Sequence, residues 1–415
     1  MKYIFTFLIS LLLVSSVKSQ LCTNDNRFTN EPYFTDAQIS SQLNITYANA
    51  INWTGSNEIL KMDVYYPTLA VDTLPLRPLI LMVHGGGLIS GDKINYTRVC
   101  KEFAKRGFVA ATINYRLGLN CATDTISEEK AKYRAQQDIN AAFRFVAQNA
   151  ITLRVDTAWM FIGGGSAGSV ASLGVVYISQ AEWNVFTPGL QSLLGDLNNS
   201  GNNLTNTFSI KGIFNDWGAM LKESMQPTEM LPMVSFHGDA DSTVAVDSSF
   251  GGGCIHVDKS YGSRAMHHLL ITNGVCSDLS VRPGGGHGVY QDSIFGAPFR
   301  VGRAACFFKS LFCNNCSSFS QTDSVEASCS LSASMVNNIT DSKFLIYPNP
   351  FVNKITISNL QGNETFRLIN QLGQTIYHGQ SIQTHDFSYL QNGVYFLTVE
   401  TNNTTITSKL LKVSH

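Results

Sequence analysis

Four short stretches of the sequence hold the residue types that nucleophilic acyl chemistry needs. The first is Gly164-Gly165-Ser166-Ala167-Gly168, which follows the apolar run Trp159 to Ile162 and leads into small and apolar residues from Ser169 to Ile178. A serine between strand and helix with glycines around it fits a strained turn that crowded neighbours would forbid, and such a turn presents the hydroxyl as a nucleophile. Ser166 is the candidate nucleophile. A hydroxyl is a weak nucleophile without a base. Gly284-Gly285-Gly286-His287-Gly288, after the run Leu279 to Arg282, offers His287 as that base. An imidazole base in turn needs an acid that fixes its tautomer and stabilises its cation. The run Met233 to Phe236 leads into His237-Gly238-Asp239-Ala240-Asp241. Asp241 takes this role by its place in the His-Gly-x-x-Asp pattern, with Asp239 as the alternative and His237 as a structural residue.

The fourth stretch is His84-Gly85-Gly86-Gly87, directly after the apolar run Leu79 to Val83. A glycine-rich loop there lets backbone amides approach a developing oxyanion, and the expected donors are Gly86, Gly87 and Ala167. Each such donor is worth ~3 kcal/mol in the transition state. Two other chemistries compete for these residues. Gly163, Gly165 and Gly168 also spell G-x-G-x-x-G, with Glu182 near the place of a ribose-binding acid, but Trp183 and Pro188 break the stretch that should hold the second strand. A metal-dependent hydrolase could use His256, His267 or His268 with Asp239. Adjacent residues in a helix face different directions, so His267 and His268 are awkward co-ligands. The expectation is therefore an enzyme without cofactor or metal.

The elements that must position these groups alternate along the chain. Leu60, Met62 and Val64 lie on one side of an alternating strand, and Leu79 to Val83 reads as a buried strand. Val99 to Lys105 is helical, Phe108 to Tyr115 a strand, and Ala135 to Gln148 a helix with Ile139, Ala142, Phe143 and Val146 on one face. Further strands follow at 159–162, 210–214 and 233–236, then a helix around Ser260 to Ile271. Such alternation predicts an α/β fold with a mostly parallel sheet, whose chemistry gathers at the carboxyl ends of the strands.

The order Ser166, Asp241, His287 is the one the α/β-hydrolase arrangement requires. With the His-Gly-Gly-Gly loop, Asn114-Tyr115-Arg116-Leu117 and Val155-Asp156, residues 55–312 resemble the α/β-hydrolases of the HGGG esterase and lipase group. The resemblance implies hydrolysis of carboxylic esters without metal or organic cofactor. Relatives in that group usually carry Asp or Glu before the nucleophile, where this sequence has Gly165. A non-catalytic binding protein on the same fold is the alternative from another class. Residues 180–209, rich in Asn and Gly, are expected to lie over the site. Trp217 either lines the substrate pocket or belongs to the core.

Composition limits the remaining possibilities. The 415 residues are 44% hydrophobic and 14% charged, with a net charge of -1, which argues against nucleic acid as a partner. Lys2 and the apolar run Tyr3 to Val17 read as a signal peptide cut after Ser19, too short to span a bilayer. Leu21 before Cys22 argues against a lipid anchor there. The predicted organisation is a signal at 1–19, a catalytic domain at 20–316, a serine-rich linker at 317–342 and a small all-β sandwich at 343–415.

The last segment resembles the C-terminal sorting domain of type IX secretion in Bacteroidetes. The residues that carry this are Tyr347-Pro348-Asn349-Pro350-Phe351, Leu372-Gly373, Leu390-Gln391-Asn392-Gly393-Val394-Tyr395 and Lys409-Leu410-Leu411-Lys412. The resemblance implies the type IX machinery as a partner and a protein that is secreted or on the outer cell surface, reached through the periplasm. The nine cysteines all precede residue 330, and export makes disulfides their expected use. Cys254 with Cys276, and further bonds around Cys306 to Cys316, are the expected links.

Overall fold

The computed structural model describes residues 20–250, 254, 259–288, 296–322, 329, 346–347, 351–358, 360, 362–370, 374–401 and 405–414. The expected signal segment and most of the serine-rich linker lie outside the described residues. The chain forms two compact units, Met1–Cys329 and Ser330–His415.

The strands of the first unit are β1 (Ile39–Ile51), β2 (Asn57–Pro67), β3 (Arg77–Val83), β4 (Val109–Ile113), β5 (Val155–Gly165), β6 (Ile210–Asp216), β7 (Ala219–Leu221), β8 (Met233–Gly238), β9 (Ser248–Phe250), β10 (Lys259–Gly262), β11 (Ser277–Arg282) and β12 (Phe319–Thr322). Its helices are α1 (Thr97–Lys105), α2 (Ser127–Gln148), α3 (Ala150–Leu153), α4 (Ala167–Tyr177), α5 (Gln180–Phe186), α6 (Leu190–Leu194), α7 (Ser263–Thr272) and α8 (Ala297–Phe312). Nine strands form one sheet in the order β1-β2-β4-β3-β5-β6-β8-β11-β12. β1 and β2 are antiparallel to their neighbours, and every pairing from β4 to β12 is parallel. This is the α/β-hydrolase architecture.

The continuous apolar strands follow from a sheet covered on both faces. Leu79, Leu81 and Val83 of β3 enter one core with α2, α4 and α7, while Ile80 and Met82 enter the other with α1 and α8. Met160 and Ile162 of β5 likewise part from Phe161, which stacks on Phe308 of α8 at 4.0 Å between ring centroids. The period-two alternation of side chains thus builds both layers from one run of residues.

Three expectations need correction. The linker does not begin after Cys316, because Phe319–Thr322 pairs with β11 in register Asp278↔Phe319 and extends the sheet. Cys254 does not bond Cys276. Cys276 precedes β11 and Cys316 precedes β12, so these parallel neighbours bring the two thiols together, and Cys254 instead meets Cys121. Cys22–Cys313 and Cys306–Cys329 complete the bonds, with Cys100 free and buried.

The third correction concerns residues 180–209, which do not cover the cleft at Ser166. Trp183 Nε1 donates to Gln136 at 2.6 Å and Gln137 donates to the Leu194 carbonyl at 2.9 Å, so the segment is fastened to α2. Asn202 donates to the Tyr47 carbonyl of β1 at 2.9 Å. The Asn-rich stretch satisfies polar groups along these elements instead of closing over the nucleophile.

The second unit is antiparallel. β13 (Ile346–Tyr347) pairs with β14 (Thr356–Ile357), and β15 (Thr365–Asn370), β16 (Thr375–Gly379), β17 (Gly393–Glu400) and β18 (Thr405–Lys412) form a sheet in the order β16-β15-β17-β18. Its own apolar core includes Phe351, Ile357, Phe366, Leu368, Phe387 and Leu397.

Candidate active site

Each of the four stretches singled out in the sequence lies at the carboxyl end of a parallel strand: 84–87 after β3, 164–168 at the end of β5, 237–241 at the end of β8 and 284–288 after β11. β5 ends at Gly165 and α4 begins at Ala167, so Ser166 alone makes the turn, with φ 53° and ψ -126°. A non-glycine residue at positive φ is held there by its surroundings. The Ser166 amide donates to the Asp216 carbonyl at 2.9 Å. Gly168 must be glycine, because an added Cβ would collide with the Val83 and His84 carbonyl groups.

His287 Nε2 lies 2.9 Å from Ser166 Oγ, and its Nδ1 lies 2.7 Å from Asp241 Oδ2. The Asp241 side chain is fully buried, and 27% of the His287 side chain is exposed. Asp241 Oδ1 accepts the Thr243 and Val244 amides at 2.8 and 2.9 Å. Burial pushes the Asp241 carboxyl up, but hydrogen bonds from His237, the Val244 amide, His287 and the Thr243 amide outweigh it and hold the group well below the usual carboxylate range. Asp239 is used differently: its Oδ1 accepts the Gly284 amide at 2.6 Å and ties the two loops together.

A buried polar network beneath these loops is not legible in the sequence. Asn215 on β6 donates to Ser235 at 3.2 Å and to Ser263 at 3.0 Å, and its Oδ1 accepts from Ser169 of α4 and from the Gly218 amide. His237 Nε2 faces the Val244 carbonyl, which can only accept, so Nε2 carries the proton and Nδ1 accepts from the Ser263 hydroxyl at 2.7 Å. The Nε2–H donates to the Val244 carbonyl at 2.8 Å, with Asp241 Oδ2 3.3 Å away. The network runs from the helix behind Ser166 to the loop of Asp241 and locks both. Its members come from α4, β6, β8 and α7, and no spacing rule connects them.

Gly86 and Gly87 have φ of 110° and 62°, conformations that favour glycine. Among the described residues, the amides of Gly86, Gly87 and Ala167 have no acceptor within the protein. His84 stacks on Tyr115 at 4.5 Å between centroids, and burial lowers its pKa. Trp217 is both buried and part of the cleft, meeting His287 edge-on at 6.2 Å between centroids. The cleft holds about 720 Å³. The residues weighed for other chemistries have other partners. Glu182 caps α5 through the Ser179 amide at 2.7 Å, and His267 Nδ1 lies 2.8 Å from Ser277 Oγ. His256 lies outside the described residues.

Parts of the chain are similar to known proteins. Residues 62–227 match the BD-FAE family, and residues 345–413 match the secretion system C-terminal sorting domain. Human carboxylesterase 3 is 32% identical over 121 residues, 29% of this chain and 21% of its own length. The probable isoprenylcysteine alpha-carbonyl methylesterase ICMEL1 of Oryza sativa subsp. japonica is 26% identical over 256 residues, 59% of this chain and 57% of its own. The chain spans about a fifth of the carboxylesterase it matches. Among solved structures, a truncated carbohydrate esterase from gut microbiota superposes with a TM-score of 0.46 at 18% identity, covering 68% of this chain and 99% of that one.

The sheet order gives the larger unit the α/β-hydrolase fold, and its residues 62–227 are similar to the BD-FAE family. The smaller unit contains the segment that matches the secretion system C-terminal sorting domain.

Proposed function

We propose that the protein is an exported serine esterase that cleaves carboxylic esters through an acyl-enzyme on Ser166. The observation that carries this reading is the continuous path from Ser166 Oγ through His287 to Asp241, at 2.9 and 2.7 Å. His287 Nε2 accepts the hydroxyl proton as Oγ attacks the ester carbonyl. The tetrahedral oxyanion then rests on the amides of Gly86, Gly87 and Ala167. His287 returns the proton to the departing alcohol, leaving the acyl group on Ser166. Water, deprotonated by His287, attacks the acyl carbon, and the acid departs as Oγ regains its proton. Asp241, held ionised by its hydrogen bonds, stabilises the imidazolium in both halves of the cycle. The names of the human and rice relatives point to the same ester chemistry.

The signal segment and the sorting tail together support export to the outside of the cell through the periplasm. The test of the chemistry is Ser166→Ala: turnover of a short-chain aryl ester should vanish while the circular dichroism spectrum is unchanged, and a serine-reactive organophosphate should label the wild type alone. Retained hydrolysis in that variant would refute the reading. Deleting 343–415 should hold active enzyme in the periplasm, and undiminished appearance outside the cell would overturn the sorting assignment.

A further inference from the structure

We infer that the cleft at Ser166 selects esters that also carry a carboxylate, which Arg98 and Arg300 hold. This rests on the esterase reading above. Among the described residues lining the cleft there are two arginines and no aspartate or glutamate. The chain as a whole carries a net charge of -1, so this positive wall is a local feature.

Arg98 is exposed in the first turn of α1, the end of a helix where the macrodipole disfavours a cation. No acidic residue accompanies it in that turn, and among the described residues it has no ion-pair partner. Glu102, one turn along, is already taken by Lys105 at 2.7 Å and Arg106 at 2.8 Å. A cation placed against a dipole beside a nucleophile, and unpaired among the described residues, suits an anion that arrives with the substrate.

Arg300 supports the same wall from the first turn of α8, where Ala297 also faces the cleft. It is 4% exposed, its Nη1 donates to Asp216 Oδ2, and its Cζ lies 5.3 Å from the Trp217 ring centre. Its buried Nε has no hydrogen-bond partner among the described residues. Burial lowers its guanidinium pKa to about 10, with Tyr96 opposing that shift and Arg98 adding to it. Among the described residues, Asp216 balances one of the two positive charges, and the other is available to a ligand. The N-terminal turns of α1 and α8 both border this wall and add positive potential.

The test uses the purified full-length protein and matched ester pairs. One pair carries the charge in the acyl part, mono-4-nitrophenyl succinate against its methyl ester. The other carries it in the alcohol part, 4-acetoxybenzoate against its methyl ester. The ratio of kcat/KM for anionic over neutral ester should fall about tenfold in Arg98→Met in at least one pair, through KM, and recover in part in Arg98→Lys. The same ratio in the wild type should fall as salt rises. The pair that responds identifies which part of the substrate bears the charge. A ratio that stays within twofold in both pairs would overturn the inference while Ser166-dependent turnover of the neutral esters left the esterase reading standing. No hydrolysis of any of the four probes would sink both.

Discussion

His287 Nδ1 stands 2.7 Å from Asp241 Oδ2, while the other oxygen of that carboxylate is held by two backbone amides. The acid therefore cannot rotate away from the imidazole without breaking bonds to its own loop. Asp239, two residues earlier, bonds the Gly284 amide and does not reach the ring. Asp241→Asn should lower kcat for an aryl ester by about 10⁴-fold, because an amide can favour the wrong imidazole tautomer. Asp239→Asn should cost less than tenfold. The reverse ranking in steady-state kinetics would transfer the acid role to Asp239.

The same carboxylate makes stability depend on acidity. Its folded pKa lies below the ordinary value of 3.8, so the unfolded chain takes up this proton first as pH falls. The stabilisation is present above pH 3.8 and is lost as pH falls through the folded value. The Tm advantage of wild type over Asp241→Asn should accordingly be full at pH 6 and shrink below about pH 4. A constant difference across that window in calorimetric scans would contradict the burial and bonding described for Asp241.

Gly165 stands where the resembling esterases carry an acid, and the structure gives a reason. A Cβ there would run into the Tyr96 hydroxyl, with the Trp217 ring 3.4 Å and Asp216 Cβ 3.5 Å away. Tyr96 is buried at the cleft and donates to Asp216 at 3.4 Å. Gly165→Ala should cost about 1–3 kcal/mol, the usual range for overpacking. Removing the hydroxyl with Tyr96→Phe should cut that cost by at least half in a double-mutant cycle followed by urea unfolding. An additive pair would mean that the crowding lies elsewhere.

What the sequence makes legible is local. Ser166, Asp241 and His287 sit in short glycine-marked loops after apolar strands, and those strands announce themselves because both faces are buried. β1 escapes a sequence reading because Ile39–Ile51 is an edge strand with mostly polar, exposed residues and two register shifts. β12 escapes it because its four residues, Phe-Ser-Gln-Thr, match the serine-rich stretch after them in composition. α8 has a buried face of Val301, Ala304, Ala305 and Phe308, but the cysteines in and around it point to bonding before periodicity. The segment 180–209 has a composition that suits a cover or a packed strap equally, and only its partners on α2, such as Gln136 and Gln137, decide between them.

The cysteine pattern separates a sequence guess from a packing consequence. Non-reducing peptide mapping should recover Cys121 linked to Cys254 and Cys276 linked to Cys316, with no Cys254–Cys276 peptide. Burial pushes the Cys100 thiol well above its ordinary pKa, so it should resist alkylation until the protein is unfolded. Labelling of Cys100 in the native protein at neutral pH would show that its surroundings in α1 open readily.

The position of β12 sets where the hydrolase can be cut. A chain stopped after Cys316 loses the strand that shields β11, the bond from Gln321 to Ser280 at 3.0 Å and the partner of Cys306. A chain stopped after Ser342 keeps all three and lacks the antiparallel unit. Losing a native disulfide of a secreted domain costs about 2–5 kcal/mol, and β11 is the strand that leads directly to His287. The shorter form should therefore melt several degrees below the longer one and lose ester turnover at temperatures where the longer form is still fully active. Adding reductant should narrow the gap, since the Cys306–Cys329 bond is then broken in both. Equal melting temperatures under oxidising conditions would place the boundary of the catalytic unit at Cys316 and reduce β12 to an ornament of the sheet edge.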